Sequence, residues 1–160
     1  MEHRFAGDGD IARLAAWNAQ LIADEGHRNA MTVAQLGDRM AAWLADAYRA
    51  VVFERDGCPV AYALYCEAVT EVRLRQFFVD RGHRRRGVGR RAVGLLRSVV
   101  WPRHKRIVVE ALTANAPAVA FWRSVGFRDY SLALEVLPDA SGEVRGSSDA
   151  APSAAAPVRP

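Results

Sequence analysis

The chain has 160 residues, of which 51% are hydrophobic and 25% are charged, and its formal net charge at pH 7 is +4. This length suits one domain around a single core, and no apolar stretch approaches the ~20 residues that a membrane-spanning helix requires. The residues after Met1 do not resemble a secretory signal, so we expect a cytoplasmic protein with no membrane partner. Cys58 and Cys66 are not spaced as metal ligands, which predicts no metal site.

The first part of the chain predicts a short strand and two helices. Residues 3–5 form a short strand-like piece, and apolar residues then recur at helical spacing over 11–22 and again over 33–47. Thr32-Val-Ala-Gln35 has the capping-box pattern at the start of the second helix. The polar stretch 24–29 connects the two helices.

The middle of the chain predicts three strands and a third helix. Apolar and β-branched runs over 50–53 and 60–66 flank Asp56-Gly57, a strong turn signal, so they form a hairpin. A third run, 72–79, extends the sheet. The third helix follows over 88–100, where one apolar stripe has a period of 3.6 residues.

The last part predicts a strand over 107–112, a helix over 116–125 and a final strand over 131–137. The predicted order is β-α-α-β-β-β-α-β-α-β, an α/β fold, and the predicted domain covers residues 1–137. From 138 to 160 the chain is rich in Asp, Ser, Gly, Ala and Pro, which predicts a disordered tail because such a segment buries little apolar surface.

The most informative stretch is Arg81–Ala92, in which six arginines surround Gly87-Val88-Gly89. If these glycines open a helix, its first amides are unpaired, and the absence of bulky side chains lets a phosphate approach the backbone. The helix dipole favours negative charge at that end, and flanking arginines add charge-assisted contacts. The pattern therefore predicts a site for a diphosphate.

Three other interpretations of this stretch are weaker and remain open. Gly87-x-Gly89-x-x-Ala92, with Glu110 further on, matches a dinucleotide-binding loop, but seven residues separate Val79 from Gly87, whereas such a loop follows its strand almost at once. A basic patch for nucleic acid would need a recognition helix or an aromatic platform, so we expect no nucleic-acid partner. A solvated basic turn is the remaining alternative.

Two blocks in the second half resemble the GCN5-related N-acetyltransferase (GNAT) superfamily. Its signature Arg/Gln-x-x-Gly-x-Gly/Ala is matched by Arg84-Arg85-Arg86-Gly87-Val88-Gly89, and a second block is matched by Asn115-Ala-Pro-Ala118-Val-Ala-Phe121-Trp122-Arg-Ser-Val-Gly126-Phe127. The resemblance implies a single GNAT-type domain, with a mixed, mostly antiparallel sheet flanked by helices. It also implies an N-acetyltransferase that moves an acetyl group from acetyl-CoA to a primary amine by direct attack.

The resemblance also implies a cofactor site. The phosphates of acetyl-CoA would lie on the amides of Arg84 to Gly89, and the pantetheine arm would pair with the backbone of Phe77 to Val79 like an extra strand. Asn115 and the helix that carries Phe121 and Trp122 would flank the thioester. The implied cofactor-binding residues are Phe77, Phe78, Val79, Arg84, Arg85, Arg86, Gly87, Val88, Gly89, Arg90, Asn115, Phe121 and Trp122.

The catalytic residues are less well determined. The reaction needs a base for the amine, and the resemblance to bacterial ribosomal-protein alanine acetyltransferases implies Glu110. Glu71 and Glu25 are weaker alternatives, and Glu110 would otherwise form an ion pair with Arg73 or Arg75. Trp122 stands where the family usually has the tyrosine that protonates the thiolate, so the predicted acid is Tyr130, with Ser124 or water as alternatives. A catalytically silent acyl-CoA-binding module remains the alternative function.

The acceptor is predicted only by class, as a small-molecule or peptide amine. Asp24, Glu25 and His27 would hold the amine's positive charge, or they would simply belong to a solvated loop. Arg73 and Arg75 would bind a carboxylate of the acceptor, or balance Glu71 and Glu110 across the sheet. Dimerisation is common in this superfamily, and the sequence leaves a homodimer open.

Overall fold

A computed structural model describes residues 1–137, and the predicted tail over 138–160 lies outside the described residues. The elements are β1 (Glu2–Phe5), α1 (Ile11–Glu25), α2 (Val33–Ala45), β2 (Tyr48–Arg55), β3 (Cys58–Glu67), β4 (Glu71–Val79), α3 (Val88–Leu95), β5 (Arg106–Val109) and α4 (Ala116–Ser124). The predicted α/β fold and the predicted order are confirmed through α4.

The final strand predicted over 131–137 is not formed. These residues lie in neither a helix nor a strand, and they belong to a second compact unit that begins at Asp129. Leu132, Leu134 and Val136 alternate as a strand would require, but they are 65%, 86% and 95% exposed. Alternation predicts a half-buried strand only where another surface covers the apolar face, and within residues 1–137 these three side chains are exposed. The domain boundary after residue 137 stays a prediction.

The sheet has the order β1-β2-β3-β4-β5. Its neighbouring strands are antiparallel except for β4 and β5, which are parallel. This arrangement confirms the mixed, mostly antiparallel sheet. The hairpin between β2 and β3 turns at Asp56 and Gly57, whose φ angles of 53° and 74° are both positive, as a two-residue hairpin of type I′ requires.

Each face of the sheet has its own apolar core. On one face, Val51 and Phe53 pack with residues of α3 and α4. On the opposite face, Ala50 and Val52 pack with residues of α1 and α2. Because successive strand residues point to opposite faces, the apolar residues 50–53 of β2 serve both cores and are buried between the two helical layers.

The start of α2 forms as the sequence predicts. The Thr32 hydroxyl accepts a hydrogen bond from the amide of Gln35 at 3.3 Å, and the Gln35 side chain accepts one from the amide of Thr32 at 2.8 Å. This capping box satisfies donors that the first turn leaves unpaired. Within residues 1–137, no helix combines the length and the apolarity needed to cross a membrane.

A bulge in β4 positions the region discussed below. Leu74 pairs with Tyr65 and Gln76 pairs with Leu64, so Arg75 is an extra residue without an opposite partner. The bulge explains why Leu74 and Phe77, three positions apart, both pack on the α3/α4 face. It also coincides with the end of the pairing between β4 and β5, whose last pair is Leu74 with Val109.

Candidate functional site

One edge of β4 is left open after the bulge. The amide of Asp80 donates to the carbonyl of Val60 on β3 at 2.9 Å. Because main-chain groups alternate in direction along a strand, Phe78 also faces β3, whereas Phe77 and Val79 face the edge from which β5 has diverged. Of the three residues predicted to pair with a ligand strand, Phe77 and Val79 therefore present their main chain at this open edge.

The loop after β4 leads to the exposed amino end of α3. Gly87 precedes the helix with a φ angle of +77°, a left-handed conformation that favours glycine. The amide of Arg91 donates to the carbonyl of Gly87 at 3.1 Å, but the amides of Val88, Gly89 and Arg90 donate to no group within residues 1–137. The predicted unpaired amides are therefore present, and they form a potential anion site.

The arginines of this loop divide into two groups. The Arg84 side chain turns back, donating from Nε to the Val79 carbonyl at 2.8 Å and from Nη2 to Asp24 at 2.6 Å. Arg81 also donates to Asp24 at 2.6 Å. Burial acts to raise the pKa of the Asp24 carboxyl, but the hydrogen bonds from Arg81 and Arg84 outweigh it and lower this pKa. Arg84 thus fastens the loop to α1.

The other group is Arg85, Arg86 and Arg90. Arg85 and Arg86 are exposed beside the unpaired amides. Arg90 donates to the carbonyl of Ser124 at 3.1 Å, so it also holds the end of α4 against α3. Of the predicted phosphate-binding side chains, Arg85 and Arg86 therefore remain without an acidic partner among the described residues.

Aromatic rings fill the space between α3, α4 and β4. Phe77 stacks on Phe121, with ring centroids 5.9 Å apart and planes within 8°. A Cβ atom at Gly89 would lie 3.1 Å from the Phe121 ring, so this glycine allows the ring to approach α3. Trp122 is 8% exposed and packs against Phe77, Phe121 and Phe127. Its position fits a core residue rather than an acid.

Asn115 begins α4. Its side-chain oxygen accepts a hydrogen bond from the amide of Ala118 at 3.2 Å, as an N-cap residue does. Its side-chain nitrogen donates to no group within residues 1–137, so this nitrogen is available to a ligand.

Glu110 follows β5 directly. Its side chain is 85% exposed, and Oε1 lies 3.6 Å from a guanidinium nitrogen of Arg73. Arg73 also bonds Glu71 at 2.6 Å, and the hydrogen bonds from Arg106 and Arg73 lower the pKa of Glu71. The ion pair that the sequence analysis left open for Glu110 is thus present, although a weak contact at an exposed site leaves the carboxylate accessible.

The predicted acceptor residues lie around α1 and α2. Glu25 ends α1, and burial raises the pKa of its half-buried carboxyl. His27 follows the helix and is exposed. Arg75 lies at the bulge, with its guanidinium carbon 4.9 Å from the centre of the Trp43 ring. Tyr130 belongs to the second unit and is 80% exposed, so its role as the acid stays a prediction.

A row of hydrogen-bonded polar side chains lies in the core beneath α1 and was not predicted from the sequence. The Tyr62 hydroxyl donates to Gln76 at 3.1 Å, and Gln76 donates to Asn18 at 2.8 Å. The Asn18 side-chain nitrogen is buried and has no partner within residues 1–137. The only sequence signal for these hydrogen bonds is a polar residue, Asn18, within an amphipathic helix. Among the described residues, no group of three or more His, Cys, Asp or Glu could hold a metal ion.

The chain is similar to known proteins in sequence and in fold. A family model described as "Acetyltransferase (GNAT) family" matches residues 15–127. Among curated proteins, none matches the sequence significantly. An aminoglycoside antibiotic 6'-N-acetyltransferase from Acinetobacter haemolyticus has a similar structure, with a TM-score of 0.69, 17% identity and coverage of 86% of this chain and 98% of that chain.

Two further solved structures contain ligands. One is a predicted acetyltransferase from Clostridium acetobutylicum with acetyl-CoA, with a TM-score of 0.65, 17% identity and coverage of 85% of this chain and 95% of that chain. The other is an aminoglycoside acetyltransferase from an uncultured soil metagenomic sample with sisomicin, with a TM-score of 0.65, 12% identity and coverage of 86% and 94%. At these identities the likeness shows the fold.

Proposed function

The chain belongs to the acetyltransferase (GNAT) family, and from that premise we propose that it transfers an acetyl group from acetyl-CoA to a primary amine by direct attack. Its class is that of an acetyl-CoA-dependent acetyltransferase. The observation that carries the proposal is the open edge of β4 followed by the unpaired amides of α3. These two features match the two chemically different parts of acetyl-CoA.

The open edge suits the pantetheine arm. Pantetheine contains two amide groups, and Phe77 and Val79 direct main-chain groups toward the space that β5 has left. Main-chain pairing of this kind adds a ligand as an extra strand. The Val79 carbonyl already accepts a hydrogen bond from Arg84, so its amide and the two main-chain groups of Phe77 are the groups that a ligand would use.

The start of α3 suits the diphosphate. The amides of Val88, Gly89 and Arg90 add to the positive end of the helix dipole, and Arg85 and Arg86 supply nearby charge. The side-chain nitrogen of Asn115 and the ring of Phe121 would then flank the arm on its way to the thioester. A ligand bound along this line places its acetyl group near the bulge at Arg75.

The chemistry requires the neutral amine to attack the thioester carbonyl carbon, after which the carbon–sulfur bond breaks and the CoA thiolate leaves with a proton. Glu110 is the proposed base, because its exposed carboxylate lies beside the end of the β4–β5 pairing. Tyr130 is the proposed acid. The sisomicin bound by the metagenomic relative supports an amine as acceptor. A cytoplasmic location and the absence of a nucleic-acid partner stay predictions, and a homodimer stays open.

A second candidate is a catalytically silent acyl-CoA-binding module. The burial of Trp122 favours it, because an indole N–H cannot supply a proton to the leaving thiolate and this ring is packed in the core. Incubating the protein with acetyl-CoA and a panel of amines separates the two candidates. Release of CoA thiol with any amine supports the enzyme, and tight CoA binding without release on any amine supports the silent module.

The cofactor site is tested by Val79→Pro. Proline removes the edge-facing amide but is tolerated at a strand edge, so the fold should persist while the affinity for acetyl-CoA falls about threefold to tenfold, the worth of one hydrogen bond. Val79→Ala is the control, since it shortens the side chain and keeps the amide. Equal dissociation constants for the two variants, measured by calorimetry, would show that the pantetheine arm does not pair here.

A further inference from the structure

Two arginines share one tryptophan on the α1/α2 face of the sheet. The guanidinium carbon of Arg39 lies 4.6 Å from the centre of the Trp43 ring, and that of Arg75 lies 4.9 Å from it. Arg39 and Trp43 are one turn apart on α2, whereas Arg75 comes from the bulge in β4. The tertiary fold therefore brings together two permanent positive charges.

This pair carries charge that the chain does not neutralise. Within residues 1–137, neither Arg39 nor Arg75 has a carboxylate within 4.0 Å, in contrast to Arg73, Arg81 and Arg84, which all form ion pairs with acidic residues. Burial and, next, the charge of Arg75 lower the pKa of the Arg39 guanidinium. Both groups nevertheless remain protonated at neutral pH, so their repulsion persists until an anion binds.

A buried donor adds to this imbalance. The Nε atom of Arg39 is buried and donates to no group within residues 1–137. An unpaired buried donor costs free energy, so this arginine is held in place at a cost to stability. Both guanidiniums lie within cation–π distance of the Trp43 ring, which attracts their charge but accepts no conventional hydrogen bond from their N–H groups.

The position of the pair relates it to the proposed reaction. Arg75 is the residue at which β4 leaves β5, where the acetyl group is placed by the proposed function. Glu25 ends α1, and residues of α1 and α2 pack in one apolar cluster on this face of the sheet. A molecule bound here would thus meet two guanidiniums, one from α2 and one from β4.

From this arrangement we infer that Arg39 and Arg75, supported by Trp43, bind a carboxylate of the acceptor, so that the acceptor is an amine that also carries a carboxylate. The inference rests on the proposed function and narrows its substrate class to amino acids, peptides with a free carboxyl group and similar zwitterions. It distinguishes the chain from relatives that bind aminoglycosides, which are polycations that two unpaired guanidiniums repel.

The test compares acceptors in matched pairs. The full-length protein is saturated with acetyl-CoA, and the initial rate of thiol release is measured with ω-amino acids from glycine to 6-aminohexanoate, each against its carboxamide, and with sisomicin. Hydrogen bonds to a charged group predict that at least one acid has a kcat/KM about tenfold or more above its amide. Equal rates for every acid and its amide, or a preference for sisomicin, would overturn the inference while leaving an active acetyltransferase.

Variants locate the effect. Arg39→Gln and Arg75→Gln should each raise the KM for the preferred acid about tenfold or more and leave the KM for its amide nearly unchanged. Arg13→Gln is the matched control, because Arg13 also lies over an indole, that of Trp17, at 5.9 Å. A purely structural role would change acid and amide alike, which would also overturn the inference.

Two further outcomes complete the test. Arg75→Lys keeps the charge on an exposed residue and loses the planar fork, so it should give an intermediate KM even if Arg39→Gln fails to fold. Absence of thiol release with every amine, at saturating acetyl-CoA, would overturn the proposed function and this inference together, and it is distinguishable from activity that ignores the carboxylate.

Discussion

The proposed site has a cofactor side and an acceptor side, which meet at the bulge in β4 and are built from different parts of the chain. The open edge and the start of α3 present main-chain groups from one continuous segment, residues 75–90. The acceptor side presents side chains from α2 and β4, which meet only in the folded chain. A main-chain site tolerates many side chains, whereas a side-chain site depends on each residue. We therefore expect cofactor binding to be robust and acceptor choice to be specific.

The largest expected effect tests which of the two sides supplies the base. Glu110→Gln should lower the turnover rate about 100-fold or more with little change in the affinity for acetyl-CoA, because it removes a proton acceptor and no cofactor contact. Glu25→Gln should act chiefly on the KM of the acceptor. Glu67→Gln, which removes another glutamate in an ion pair, with Lys105, is the control.

Steady-state kinetics decide between the glutamates. If Glu110 is the base, Glu110→Gln lowers kcat, whereas Glu25→Gln raises the acceptor KM and leaves kcat nearly unchanged. An unchanged rate in Glu110→Gln, together with a 100-fold loss in Glu25→Gln, would move the base to the acceptor side and leave Glu110 with its structural contact to Arg73.

The same difference explains why the sequence predicts the cofactor side better than the acceptor side. The strand before Gly87, the glycine itself and the apolar stripe of α3 are neighbours in the chain, so local rules suffice to predict a helix with free amides. The bulge at Arg75 has no local signature, because it depends on the register between β3 and β4. The meeting of Arg39 with Arg75 depends on how α2 packs on the sheet, which periodicity does not specify.

One failure and one unforeseen contact have physical causes of the same kind. The strand predicted over 131–137 required a covering surface that a single segment cannot reveal. The bond from the Arg84 side chain to Asp24 was not predicted, since a long guanidinium reaches whichever carboxylate the fold brings near, and the role of Arg84 at the cofactor stays a prediction.

A sharper test of the cofactor side compares two glycines. Gly87 and Gly57 have φ angles of +77° and +74°, and a Cβ atom at either would meet nothing within 4 Å. Alanine at either position should therefore cost a similar free energy of unfolding, about 1–2 kcal/mol, through backbone strain alone. Only Gly87→Ala should also weaken acetyl-CoA binding, about tenfold, because relief of the strain displaces the amides of α3.

Chemical denaturation and calorimetry measure the two quantities separately. Equal stability losses with a changed dissociation constant in Gly87→Ala alone would assign the amides to the ligand. If both variants bind acetyl-CoA as the natural sequence does, the phosphates do not lie on these amides, and the contrast between a main-chain site and a side-chain site fails.

The smallest expected effect is on the free energy of unfolding, through the half-buried carboxyl of Glu25 on the acceptor side. Burial raises the folded-state pKa of Glu25 above its ordinary value of 4.5, with smaller effects from His27 and Asp24. The folded chain therefore binds this proton more tightly than the unfolded chain does, so the stabilisation from protonation is present below pH 4.5 and is lost as the pH rises through the folded-state pKa. Glu25→Gln should accordingly raise the free energy of unfolding at pH 7 and leave it unchanged below pH 4.5.

Solvent reaches a half-buried carboxylate, so the gain at pH 7 should be less than about 1 kcal/mol. Urea unfolding at both pH values measures it, with Glu110→Gln as the control, since that exposed carboxylate has no burial cost to relieve. A gain at pH 7 combined with a higher acceptor KM would show that Glu25 is retained for binding at the expense of stability, as expected of a site made from side chains. A loss at pH 7 would show instead that the carboxylate stabilises the end of α1, and the amine end of the acceptor would then need another partner.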